Sequence, residues 1–230
     1  MTHPVLLAIE CSQREGGIAL QDRTGQIHER AFETGARRDD VLQPTIESLF
    51  ADCGLLPGDL DGCGCSIGPG GFTGLRITVA TVRALGMALA IPLYGIPSAF
   101  VAAASTGLEV DAALVVLACK GETLWLTRVI RDADGSWSGT GSLVDLDSAT
   151  ADCQGHGGVL LADDYCPESL RASAEQAGLS VVAPVFAASA CLHLTSIRHA
   201  AGTPDDTMGL APLYPREPEA VTLFNRRQEG

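Results

Sequence analysis

Short apolar runs alternate with polar turns through the first third of the chain. Val5 to Glu10 (VLLAIE) is apolar up to a terminal acid, Gly17 to Gln21 returns after a polar turn, and Gln26 to Phe32 follows the turn signal Thr24-Gly25. Three strands are expected there. Asp39 and Asp40 then precede Val41, Leu42, Thr45, Ile46, Leu49 and Phe50 at helical spacing, with Gly54 as the stop. Pro44 is compatible with this helix only near its first turn, where no backbone donor is missed. Gly62 to Ile67 predicts a fourth strand, Thr73 to Ala90 a long helix, Leu93 to Ile96 a fifth strand and Ser98 to Ser105 a short helix.

The order returns in the second half. Ala112 to Cys119, Thr123 to Ile130 and Trp137 to Val144 read as strands joined by turns at Lys120-Gly121-Glu122 and Asp132 to Gly135. A loosely ordered polar stretch is expected from Asp145 to Gly157. A strand (Gly158 to Ala162), a helix (Pro167 to Ala177), a strand (Leu179 to Val182) and a helix (Val185 to Ala201) follow. Each half thus reads βββαβαβα, a repeat of topology with negligible sequence similarity between the halves. An α/β chain of two such lobes around a cleft resembles the actin-like ATPase plan (ASKHA, ribonuclease H-like). Residues 1–105 would form the first lobe and residues 106–207 the second, divergent one. The Pro-rich tail 208–230 would pack back over the first lobe.

Gly68 to Ile77 (GPGGFTGLRI) sits where a strand hands over to the long helix. A helix start has unpartnered N–H groups and the positive end of the helix dipole, so the turn is either an anion site or a place where another backbone comes close. A Walker loop needs Lys then Ser or Thr, but Leu75-Arg76 follow Gly74. The dinucleotide fingerprint needs a glycine where Thr73 stands. A structural turn is favoured, with Thr73 as N-cap. Glu10, Ser12, Gly70, Thr73 and Gly74 remain as weak anion or nucleotide candidates.

Composition narrows the function classes. The 230 residues are 46% hydrophobic and 5% aromatic, which implies an aliphatic core in one large or two small domains. Fifteen Lys and Arg against 28 Asp and Glu give a net charge of −13, without the basic footprint of a nucleic-acid binder. Direct tRNA binding is therefore not expected. No signal peptide is read at the start, and the apolar stretch around Leu85 to Ile91 reads as too short and punctuated for a membrane span. A cytoplasmic protein is expected. The eight cysteines read as buried reduced thiols. No metal is expected: Cys63 and Cys65 are read as facing opposite sides of a strand, and no two of the five histidines are four apart.

The pieces LLAIECS, SIGPGGFTGLRITVATVRALGMALAIPLYGIPS and APLYPREPEA resemble the TsaB family, also called YeaZ, over nearly the whole chain. That resemblance implies a non-catalytic accessory in making threonylcarbamoyladenosine (t6A), the modified adenosine next to the anticodon of tRNAs reading codons that begin with A. The family's partner TsaD carries the transfer, and the ATPase TsaE is a third member. No cofactor is implied for this chain, and a homodimer is implied when it is alone. The family pattern differs at Glu10 (usually Asp), at Arg38-Asp39-Asp40 (usually His-Ser-Glu) and at Ala118-Cys119-Lys120 (usually Asp-Ala-Arg). By the same resemblance Glu10 and Ser12 mark a vestigial nucleotide site. TsaD's two metal-binding histidines fall near Ser98 and Ala102, which cannot ligate.

The long helix carries only two charges, Arg76 and Arg83, and is apolar all round, so it needs cover on both sides. One side can pack on its own sheet. The other needs the Asp39–Cys53 helix or another subunit, and the family builds a helical bundle there with a partner's equivalent pair. The interface candidates are Val41, Leu42, Thr45, Leu49, Arg76, Val79, Ala80, Arg83, Ala84 and Met87. The alternative class is an ATP-dependent small-molecule phosphotransferase of the actin-like kinase type. A metalloprotease is disfavoured by the missing histidine pair.

Overall fold

The computed structural model describes residues 2–32, 38–107, 110–119, 123–155 and 158–215, with the side chains of 38–40 left out. The first half lays down β1 (Leu6–Glu10), β2 (Gly17–Gln21) and β3 (Ile27–Ala31) as an antiparallel meander. After α1 (Arg38–Asp52), β4 (Gly62–Gly68) returns parallel to β1. After α2 (Phe72–Leu89), β5 (Leu93–Pro97) pairs parallel to β4, and α3 (Ser98–Ser105) leaves the sheet. The second half repeats each step with β6 (Ala112–Cys119), β7 (Thr123–Arg131), β8 (Trp137–Val144), α4 (Leu146–Gln154), β9 (Val159–Ala162), α5 (Glu168–Gln176), β10 (Ser180–Val182) and α6 (Ala188–Ala200). The two sheets have the same order, β3-β2-β1-β4-β5 and β8-β7-β6-β9-β10. This is the two-lobed actin-like plan.

The unbroken apolar runs of the central strands follow from burial on both faces. In β1, Leu6 and Ala8 join the core between the sheets, while Leu7 and Ile9 join the core under α1 and α2. In β6, Val115 and Leu117 point inward, and Leu114 and Val116 point toward α4 and α5. The layers are therefore α1 and α2, first sheet, α3 and α6, second sheet, α4 and α5.

Four sequence expectations change. The stretch expected to be loosely ordered from Asp145 contains α4. The Asp145 carboxylate accepts from the Ser148 amide at 2.8 Å as an N-cap, and Ala149 and Cys153, four apart, are buried. α1 starts at Arg38, so Pro44 lies in its second turn and not near its start. α6 belongs by sequence to residues 106–207 yet packs across β1, β2, β4 and β5 of the first sheet. Gly64 permits this, since a Cβ there would fall on the Thr195 hydroxyl. Cys63 and Cys65 share the face under α1 and α2, as two residues of a period-two strand must, and do not diverge.

The tail lies over the first lobe as far as Pro215. Asp205 N donates to Leu93 O at 2.8 Å, Leu213 N donates to Ile67 O at 2.7 Å, and Leu210 is buried. Arg198 ties the start of the tail down by donating to Gly95 O at 3.0 Å and to Asp205 Oδ2 at 2.9 Å. Residues 216–230 lie outside the described residues.

Candidate functional site

β4 ends at Gly68 and α2 begins at Phe72, so Pro69, Gly70 and Gly71 make the whole connection. Gly71 N donates to the Ser12 carbonyl at 2.7 Å, and a Cβ on Gly70 would fall onto that same oxygen. Gly68 has a φ of +108°, and a Cβ there would lie 2.8 Å from the Leu213 carbonyl. Between the β1–β2 hairpin and the tail, the turn has backbone on two sides, which only glycine allows. Thr73 is not the N-cap. Gly71 holds that place with an extended backbone, and its carbonyl accepts from Leu75 N at 3.0 Å, so the first helical bond forms two residues earlier. Thr73 is exposed in the first turn, and Gly74 is buried beside it.

Glu10 is 0% exposed, and its Oε1 accepts from Ser12 N at 2.6 Å. The carboxylate thus braces its own turn. Ser12 is buried too, with its hydroxyl unbonded. Between the lobes is a cleft of about 330 Å³, lined by Gln13, Gly70 and Gly71, by Ala118, Cys119, Asp163 and Tyr165 across from them, and by Tyr214 of the tail. The Arg14 guanidinium stands 5.2 Å from the Tyr165 ring and joins the lobes. Asp163 is engaged by the amides of Ala118 and Tyr165, at 2.8 and 3.0 Å. Among the described residues Arg14 is the one cation lining the grooves that adjoin this cleft. Of the departures from the TsaB pattern, Ala118 and Cys119 line the cleft, whereas Lys120 and the Arg38–Asp40 side chains fall outside the described set.

Ser98 and Ala102 are fully buried on α3, and among the described residues no three His, Cys, Asp or Glu side chains gather as a metal site. The eight cysteines form no disulfide. Burial pushes the Cys63 and Cys166 thiols up to about 12, and those of Cys65 and Cys191 move the same way. A thiol that stays protonated is a poor nucleophile.

The long helix presents a different kind of surface. Leu75, Val79, Val82 and Gly86 of α2 are buried against the sheet, and Leu42 and Leu49 of α1 share that core. Three of the interface candidates, Leu42, Leu49 and Val79, are therefore inside the first lobe. Arg76, Ala80, Ala84 and Met87 are exposed; Val41, Thr45 and Arg83 are half-buried. The tail supplies a cover that the sequence reading missed. Arg76 Nε donates to Tyr214 Oη at 3.1 Å, its guanidinium sits 3.8 Å over the Phe72 ring, and Arg83 Nη2 reaches Met208 Sδ at 3.9 Å. The Tyr-Pro pair in APLYP was the available signal, an aromatic held in an extended segment. Beyond this flank the face is open among the described residues, with Met87 and Met208 each 65% exposed. By length and composition alone α2 is long and apolar enough to cross a membrane, and a third of it (33%) is buried in the fold.

The family described as TsaD, tRNA N6-adenosine threonylcarbamoyltransferase, matches residues 35–133. An uncharacterized protein of Mycobacterium tuberculosis is 37% identical over 82 residues, which is 36% of this chain and 39% of that protein. The tRNA threonylcarbamoyladenosine biosynthesis protein TsaB of Bacillus subtilis is 33% identical over 93 residues, 40% of this chain and 41% of its own length. The Escherichia coli TsaB is 27% identical over 139 residues, 58% of each. The chain thus spans about two-fifths to three-fifths of these relatives. The solved structure of YeaZ from Pseudomonas aeruginosa superposes with a TM-score of 0.73 at 17% identity, over 92% of this chain and 100% of that one, a likeness of fold.

Proposed function

The chain is a relative of the TsaB and YeaZ proteins, and on that premise we propose that it is an accessory subunit in the synthesis of threonylcarbamoyladenosine in tRNA. It acts by binding a TsaD homologue, which performs the transfer, with a TsaE homologue as third member. The chain itself has no catalytic residue, works in the cytoplasm and leaves tRNA contact to its partners. Alone, it pairs with a second copy through the same face.

The observation that carries this reading is the open face of α2. Ala80 and Ala84 are exposed one turn apart and allow close approach of a helix, with Met87 beside them. Binding there favours the partner's active conformation to the extent that the interface fits that state better. The phosphotransferase alternative needs an acid aimed into the cleft, and Glu10 is 0% exposed, with Oε1 accepting from Ser12 N. Calorimetry with ATP and Mg²⁺ tests it; tight binding with turnover would displace the accessory reading.

The partner face is tested with Ala80→Glu and Ala84→Glu. Charges at Val82 or Leu49 would unfold the lobe instead, since both are 0% exposed. The full chain is mixed with the TsaD homologue of its own organism and sized by light scattering. Loss of the complex at unchanged thermal melting is expected. An undiminished complex would refute the proposed face.

A further inference from the structure

We infer that Arg76, Arg83 and the tail segment Asp205–Pro215 form one recognition surface for an acidic helix of a partner subunit, selecting it over a second copy of this chain. The inference rests on the proposed function and adds the chemistry of the partner.

Arg76 and Arg83 are the only charges in α2, in a chain whose net charge is −13. Seven residues apart, they stand about 10 Å apart, two turns along one flank. Arg23, Arg30, Arg128 and Arg198 each have an aspartate partner. Among the described residues Arg76 and Arg83 have none. They are held by the tail through a phenol oxygen and a thioether, at 3.1 and 3.9 Å, and Arg76 also by the Phe72 ring at 3.8 Å. Aromatic and thioether neighbours fix a guanidinium in place without neutralising it. Each planar fork therefore keeps donors for a carboxylate, beside an alanine face that lets a helix come close. Tyr214 and Met208 are positioning residues for this pair.

A second copy fits this charge pattern badly. An antiparallel α2 pair crossing beside Ala80 sets Arg76 of each copy opposite Arg83 of the other, which places like charges together. A different subunit with two carboxylates about two turns apart turns the same arginines from a penalty into an attraction, a discrimination that acts in both directions.

The test uses the full chain and the TsaD homologue of the same organism, with affinity measured at low and high salt, and self-association measured alongside. Arg76→Gln with Arg83→Gln is expected to weaken the heteromeric complex roughly tenfold at low salt and to flatten its salt dependence. Self-association should hold or strengthen. Tyr214→Ala with Met208→Ala should shift affinity and salt dependence the same way, by less. Wild-type affinity and salt dependence in the arginine variant would overturn the inference, as would equal weakening of both complexes. Ala84→Glu separates the two levels. If it abolishes the complex while the arginine variant binds normally, this inference fails and the proposed function stands. If it too binds normally, the proposed face itself has failed.

Discussion

Gly70→Ala isolates the reason for the glycine turn. The added Cβ would fall on the Ser12 carbonyl oxygen, the acceptor of the Gly71 amide at 2.7 Å. Gly70 is not among the residues of positive φ, so the close approach alone is tested. Forcing the hairpin aside costs about 1–3 kcal/mol, and weakening the hydrogen bond adds about 1. The lower entropy of the unfolded alanine chain returns about 0.5–1, which leaves a net loss of roughly 1–3.5 kcal/mol. Gly71→Ala is the control, because the nearest atom to its Cβ would be 3.7 Å away, an ordinary contact. Its loss should stay below about 1 kcal/mol, the difference between glycine and alanine at an N-cap. Urea unfolding of both variants reads this as a fall in midpoint of about 1 M for Gly70→Ala at unchanged slope. Equal midpoints for the two variants would refute the close-approach account and return the turn to the ligand reading.

Other perturbations test other parts of the fold. Gly64→Ala should destabilise by about 2–4 kcal/mol in chemical unfolding, because its Cβ would meet Thr195, and Thr195→Ala in the same chain should restore part of the loss. The Asp22 carboxyl is held below its ordinary value of 3.8 by hydrogen bonds from Thr24 first and His28 second. Its contribution is therefore present above that pH and lost as pH falls below it, so Asp22→Asn should be less stable than wild type at neutral pH and converge with it in acid unfolding. Thiol titration of the native protein should find at most the half-buried Cys53 and Cys119, with all eight cysteines reacting after unfolding. Rapid reaction of Cys63 or Cys191 would contradict the core packing.

Strands and turns were legible because their signals are local. The observed ends of β2, Gly17 and Gln21, coincide with the sequence boundaries, since apolar runs and turn residues mark them without help from the rest of the chain. α4 leaves little trace in the sequence because Ala149 and Cys153 are its only buried residues, too few to give LDSATADCQ a helical period, and the Asp145 cap lies in a polar stretch. Sequence order gave α6 to the second lobe, because a helix's pattern tells that it is amphipathic and not which sheet it covers; Gly64 and Thr195 decide that only once they meet. The apolar excess of α2 was visible in the sequence. Which side faces outward was not, because it depends on the sheet beneath and on Met208 and Tyr214, more than a hundred residues away.

Reconstitution of tRNA threonylcarbamoylation with the TsaD and TsaE homologues of the same organism and the separately made threonylcarbamoyl adenylate, with and without this chain, tests the central claim most directly. Modification is expected to depend on the wild-type chain and to be lost with Ala84→Glu. Modification at full rate without the chain would contradict that claim.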